Sequence, residues 1–233
     1  MLRIGVIGPS EKEIAEFINK ITEKKQIEHA MLKFYSGIYG EIEVVSVVCG
    51  VCKVNASIAT QVLIDKFDVT HIILIGVAGA LSSQLEVGDI VISSEVAYHD
   101  VASGILTEYH PWMEDIYFKA DGKLIELSME AASSLVATSK FYTGRIITGE
   151  TFITHKEREY LVQQFNPLCV DMESASVAHT CYVNRIPFVV IRSMSDNADE
   201  KSSEQFKINA ETAAQNSIKV VEGLIIKLSL SLV

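Results

Sequence analysis

Proline and cysteine are both scarce in this chain, 4 of each in 233 residues, and there is a single tryptophan and only 13 glycines. So little proline and glycine excludes a collagenous or low-complexity chain. The cysteines, at 49, 52, 169 and 181, are too few for a disulfide framework, and the default they imply is a reducing compartment. Cys49 and Cys52 have the CxxC spacing of redox and zinc motifs, but no second pair completes a site, so structural thiols are expected. Basic residues are also in deficit: 20 Lys and Arg stand against 30 Asp and Glu, a net charge of -10. With no basic cluster to track phosphates, nucleic acid is not an expected partner. The segment from Met1 to Gly8 lacks the pattern of a signal peptide, and the apolar C-terminal stretch carries charges inside any window of the roughly 18 to 20 residues that span a bilayer. A cytoplasmic protein without a membrane partner is expected.

Apolar bulk is plentiful, at 48% of residues. Short continuous runs rich in Val and Ile alternate with longer segments of helical period, as in a sheet covered by helices on both faces. The runs place strands at 2–7, 33–38, 42–49, 70–77, 89–98, 143–149 and 187–193. Ile14, Phe17, Ile18 and Ile21 repeat at helical spacing and place a helix at 11–24, with Ser10 as its N-cap. Further helices fit 53–67, 123–138, 156–165, 173–184 and 203–229. No linker divides the chain, so residues 1–233 are expected to form one domain. The stretch 98–122 exceeds ordinary loop length and carries Ile105, Leu106, Tyr109 and Trp112, which need a partner to cover them.

Ligands of open α/β sheets bind beyond the carboxyl ends of the strands, so the residues that follow each strand carry the information. Three of those turns bear carboxylates: Glu11 and Glu13, Asp171 and Glu173, and Asp196 and Asp199. Gly79 and Phe152 fall beside them. Alone, any of these acids reads as a helix-dipole or capping residue. Together they read as a site. No GxxxxGK[ST] or GxGxxG is present, and the six histidines are scattered, so neither a cofactor nor a metal is expected.

As a set, Gly5-Val6-Ile7-Gly8 with Glu13, Gly76-Val77-Ala78-Gly79, Thr148-Gly149-Glu150-Thr151-Phe152-Ile153, Val170-Asp171-Met172-Glu173 and Arg192-Ser193-Met194-Ser195-Asp196 resemble the 5'-methylthioadenosine/S-adenosylhomocysteine nucleosidases, a branch of the purine nucleoside phosphorylase superfamily. The resemblance implies a single-domain three-layer αβα fold around a mixed, largely parallel twisted sheet, and hydrolysis of the N-glycosidic bond of a 5'-thioadenosine nucleoside in the methionine salvage route. It assigns Asp196 as the acid at the purine, Glu13 as the base that activates water, and Arg192 as the group that orients Glu13 or the water. Glu173 would bind the ribose hydroxyls over a floor that includes Met172. Phe152 would stack on adenine, Ile153 would read its edge through the backbone, and Gly79 would let the chain approach the base. Val51 and Phe206 would contact the 5'-thio group. Val77 stands where these nucleosidases usually carry a serine that helps hold water, and Pro9-Ser10 replaces their usual Ala-Met. The resemblance further implies a homodimer in which the 98–122 segment closes the neighbour's 5' pocket. A phosphate-dependent phosphorylase and a non-catalytic nucleoside-binding paralogue are the alternative readings.

Overall fold

A computed structural model describes residues 2–109, 113–134, 139–199 and 201–231. The elements follow as β1 (Arg3–Gly8), α1 (Glu11–Asn19), β2 (Thr22–His29), β3 (Leu32–Tyr39), β4 (Ile42–Val48), α2 (Lys53–Phe67), β5 (His71–Ala80), β6 (Ile90–Tyr98), α3 (Ile105–Glu108), β7 (Phe118–Lys119), α4 (Gly122–Ser133), β8 (Phe141–Thr148), α5 (His155–Phe165), β9 (Cys169–Asp171), α6 (Ser174–Asn184), β10 (Phe188–Asp196) and α7 (Ser202–Leu230).

The continuous apolar runs have a direct cause in the layers. Along β5, Ile72 and Leu74 enter the core shared with Ala56, Ala59 and Leu63 of α2 and with Val177 and Cys181 of α6. Ile73 and Ile75 point the other way, to Ile14 and Phe17 of α1, Leu127 of α4 and Ile218, Val221 and Ile225 of α7. A strand alternates its side chains between faces, so one sandwiched between two helical layers must be apolar at every position.

The ten strands of the described residues belong to one mixed sheet. β1 lies parallel between β4 and β5, and β5 runs parallel to β10. β10 then pairs antiparallel with β6, β6 parallel with β8, β8 parallel with β9, and β9 antiparallel with β5 again. Five strands therefore close on themselves, and β1, β4, β3 and β2 extend from that barrel as an open sheet. The closure brings Gly79 opposite both Asp196 and Val170, and Thr148 opposite Asp171.

Every expected strand is present, but the first helix is shorter than its periodicity indicates. It stops at Asn19, and residues expected in its last turn open β2, which pairs antiparallel with β3. Thr22–His29 is almost wholly exposed and charged, so it has no apolar pattern to announce a strand; cross-strand pairing overrides the helical spacing of Ile21. Its lysines also suit the outer edge of a sheet. The 98–122 stretch contains α3 and β7, the latter paired with β6. Leu106 packs onto the core, whereas Ile105 and Tyr109 are exposed. Trp112 and the expected helical residues 135–138 lie outside the described residues. No helix among those described is long and apolar enough to cross a membrane.

Candidate active site

Where the carboxyl ends of β1, β5 and β10 meet those of β8 and β9, the chain encloses a cavity of about 290 Å³. Glu13, Val51, Val77, Gly79, Phe152, Ile153, Met172, Glu173, Asp196 and Phe206 all line it, together with Pro9, Asp171 and Ser195. Of the residues to which the resemblance gave a role, only Arg192 does not; Glu11 and Asp199, from the same carboxylate-bearing turns, do not line it either.

Glu13 sits in the first turn of α1 and is 4% exposed. Its Oε1 accepts the Val77 backbone N–H at 3.0 Å, and its Oε2 accepts the Ser10 hydroxyl at 2.6 Å. Glu173 ends the turn after β9; its Oε1 accepts the Cys52 N–H and its Oε2 accepts Arg192 Nη2, each at 3.0 Å. At the end of β10, Asp196 Oδ2 accepts the Ser195 hydroxyl at 2.8 Å and Oδ1 accepts the Ala198 N–H at 2.9 Å. Phe152 and Phe206 meet edge to face across the mouth, with centroids 6.2 Å apart. Phe152 is half exposed, as a ring that awaits a flat partner would be.

Arg192 is placed differently from its expected role. Fully buried beneath the cavity, it donates from Nε to Asp171 Oδ2 at 2.8 Å and from Nη2 to Glu173. Its Nη1 lies 3.9 Å from Glu13 Oε1, too far for a hydrogen bond. Arg192 is thus a positioning residue for Glu173 and Asp171, and reaches Glu13 only through its charge. Burial opposes that charge, but Asp171, Glu173 and Glu13 outweigh it and raise the guanidinium's pKa. One cation cannot offset several buried carboxylates. Desolvation wins at Glu13 and at Glu173, raising both carboxyls above their ordinary value against the pull of Arg192.

Two residues that the sequence left without a role in the site are central to it. Asp171 anchors Arg192 and also accepts the Thr148 hydroxyl at 2.7 Å, the Ser174 N–H at 3.1 Å and the Ser174 hydroxyl. Gly76, at φ +147°, leaves space that any other residue would fill: a Cβ there would sit 2.5 Å from Glu13 Oε1 and closer still to Arg192 Nη1. The glycine before the site turn was the available sign. At Gly79 a Cβ would meet Asp196 Oδ1 at 2.8 Å and Ala198, so the space this glycine leaves is used first by the acid beside it.

The cavity wall carries Glu13, Asp171, Glu173 and Asp196 and, among the described residues, no Lys, Arg or His. Such a wall favours a ligand that becomes positively charged and repels an anion. All four cysteines are free, and no group of three His, Cys, Asp or Glu among the described residues is placed to hold a metal ion.

A sequence profile described as the phosphorylase superfamily matches residues 3–226. A 5'-methylthioadenosine/S-adenosylhomocysteine nucleosidase from an Exiguobacterium species is 39% identical over 225 residues, which cover 94% of this chain and 96% of the relative. Among solved structures, the nucleosidase of the same name from Colwellia psychrerythraea, in complex with adenine, superposes with a TM-score of 0.89 at 37% identity, covering 96% of this chain and 94% of that one. The Neisseria meningitidis nucleosidase, in complex with methylthio-immucillin-A, gives a TM-score of 0.90 at 33% identity, with 97% and 99% covered.

Proposed function

The chain belongs to the 5'-methylthioadenosine/S-adenosylhomocysteine nucleosidases of the phosphorylase superfamily, and from that membership we propose that it hydrolyses the N-glycosidic bond of 5'-thioadenosine nucleosides, releasing adenine and the free thioribose. The observation that carries hydrolysis over phosphorolysis is the cavity wall: four carboxylates and no cation among its described residues. Phosphate held as a nucleophile needs charge-assisted donors, which this wall does not supply.

In the reaction, the bond from C1' to N9 breaks, charge builds up positively on the ribose and negatively on the purine, and water adds to C1'. Glu13 takes the water's proton, and the burial that raises its pKa strengthens it as a base once it is ionised. Asp196 acts as the general acid that delivers a proton to the departing adenine at N7. Glu173, fixed through both oxygens, binds the ribose hydroxyls above Met172. Phe152 covers the adenine, Ile153 meets its edge, and Val51 and Phe206 take the 5'-thio substituent. Val77 contributes its N–H to Glu13 in place of a hydroxyl to water. The chain acts as one domain in the cytoplasm and as a homodimer, the exposed Ile105 and Tyr109 meeting the second copy; sedimentation as a monomer at micromolar concentration would refute the dimer.

The deciding measurement is adenine release from methylthioadenosine in phosphate-free buffer. Release unaltered by added phosphate, with a reducing thioribose as co-product, is expected. Dependence on phosphate and a sugar 1-phosphate product would establish the phosphorylase instead, and tight binding without turnover a non-catalytic paralogue.

A further inference from the structure

Ser10 holds the N-cap position of α1 in the extended backbone such a residue needs, φ -137° and ψ 163°, yet its side chain makes no bond to the helix backbone. Two helices are capped by a side chain: Asp121 accepts the Leu124 N–H at the start of α4, and Thr154 and Glu157 form a reciprocal capping box at α5, whereas α2, α3, α6 and α7 begin without one and have no Ser, Thr, Asp or Asn at the N-cap. Glu13 stands where the glutamate of such a box would be, three residues after the N-cap. It does not reach back to the Ser10 backbone. Instead it turns toward β5, where the Val77 N–H takes Oε1 at 3.0 Å, and the Ser10 hydroxyl takes Oε2 at 2.6 Å. The helix forgoes a cap at this end, and the hydroxyl goes to a buried carboxylate on the cavity wall.

We propose that Ser10 is a positioning residue for the reaction, its hydroxyl fixing the rotamer of Glu13 so that the carboxylate faces the bound water. The inference rests on the assignment of Glu13 as the base. Two donors on two oxygens leave the carboxylate one orientation, whereas the Val77 N–H alone would let the second oxygen swing. Arg192 at 3.9 Å offers charge without direction. The hydroxyl also lowers the Glu13 pKa against the larger effect of burial; Arg192, Asp171 and Glu173 are the charged groups that act on it beside Ser10.

The test compares Ser10→Ala and Ser10→Thr with the unaltered protein. Ser10→Ala should lower kcat for methylthioadenosine about 10-fold, the scale of one hydrogen bond to a charged group, with KM little changed. Its acid limb should move to higher pH, and Ser10→Thr should restore both. The thermal midpoint should fall by no more than the loss of one donor to a buried carboxylate, and the pH profile decides the role: a residue that served only the helix would lower the midpoint and leave that profile unchanged. In a Glu13→Gln background, Ser10→Ala should cost nothing more. Carbon-13 titration of the Glu13 carboxyl in Ser10→Ala gives a readout independent of turnover, with an upward shift expected. Full kcat together with an unshifted titration would overturn the proposal. A shifted titration in a protein that releases no adenine would leave Ser10's hold on Glu13 standing and refute the nucleosidase function instead.

Discussion

Arg192 Nη2 donates to Glu173 Oε2 at 3.0 Å, between two side chains almost closed to water. Such a pair is costly to bury and costlier to break, since removal of one partner strands the other's charge in a poor solvent. Arg192 also holds Asp171, so its loss strands two carboxylates. Arg192→Ala should therefore lower the unfolding free energy by about 3–5 kcal/mol, read as a fall in the urea midpoint. A change below 1 kcal/mol would refute the role given to the guanidinium.

The pH dependence follows from the raised carboxyl of Glu13. A base works only when ionised, so kcat/KM should decline as pH falls through a value above the ordinary 4.5 of a glutamate. For stability the sign is opposite: a carboxyl raised on folding favours the native state at low pH and loses that contribution as pH rises through the folded value. Glu13→Gln, similar in shape but never charged, should thus raise the thermal midpoint at neutral pH, with the gain shrinking toward pH 4.5, while turnover drops by about 10²-fold. A midpoint that falls at neutral pH would contradict this account.

Asp196→Asn keeps one oxygen to accept the Ala198 N–H and turns its amide N–H to the Ser195 hydroxyl, which can rotate to accept it, but it has no proton to give the purine. Adenine release should fall by about 10²-fold or more, with methylthioadenosine still binding by calorimetry. Full activity in this variant would move the acid elsewhere.

Gly76→Ala places a methyl group between Glu13 and Arg192. It also forces φ +147° on a residue with a side chain. Loss of activity and of stability together is expected, in contrast to the Asp196 variant, whose melting midpoint should change little. A folded, fully active Gly76→Ala would show that the gap between base and guanidinium is wider than drawn.

Much of this was already legible in the linear chain because it is local. Apolar runs marked every long strand of the core, and helical spacing marked α2 and α7 almost to the residue. Carboxylates just past strand ends marked the site, because chain direction alone puts the ends of parallel strands on one edge. Thr22–His29 was hidden for the opposite reason: a charged edge strand buries little and has no period of its own, so only its pairing with β3 makes it a strand.

The same division holds within the site. Sequence by itself determined the edge on which the cavity forms: Glu13, Phe152, Glu173 and Asp196 reach it from their places after strands, while Glu11 and Asp199, which follow the same strands, do not. Tertiary structure alone decided what those residues bind. Val77 meets Glu13 across 64 positions of chain, and Cys52 meets Glu173 across 121. Arg192 became a buried anchor for Glu173 and Asp171, and Ser10 gave its hydroxyl to Glu13 over the helix backbone. No local pattern encodes such choices. Each depends on which donors remain unpaired once the sheet has closed, and on the cost of leaving a buried carboxylate without them.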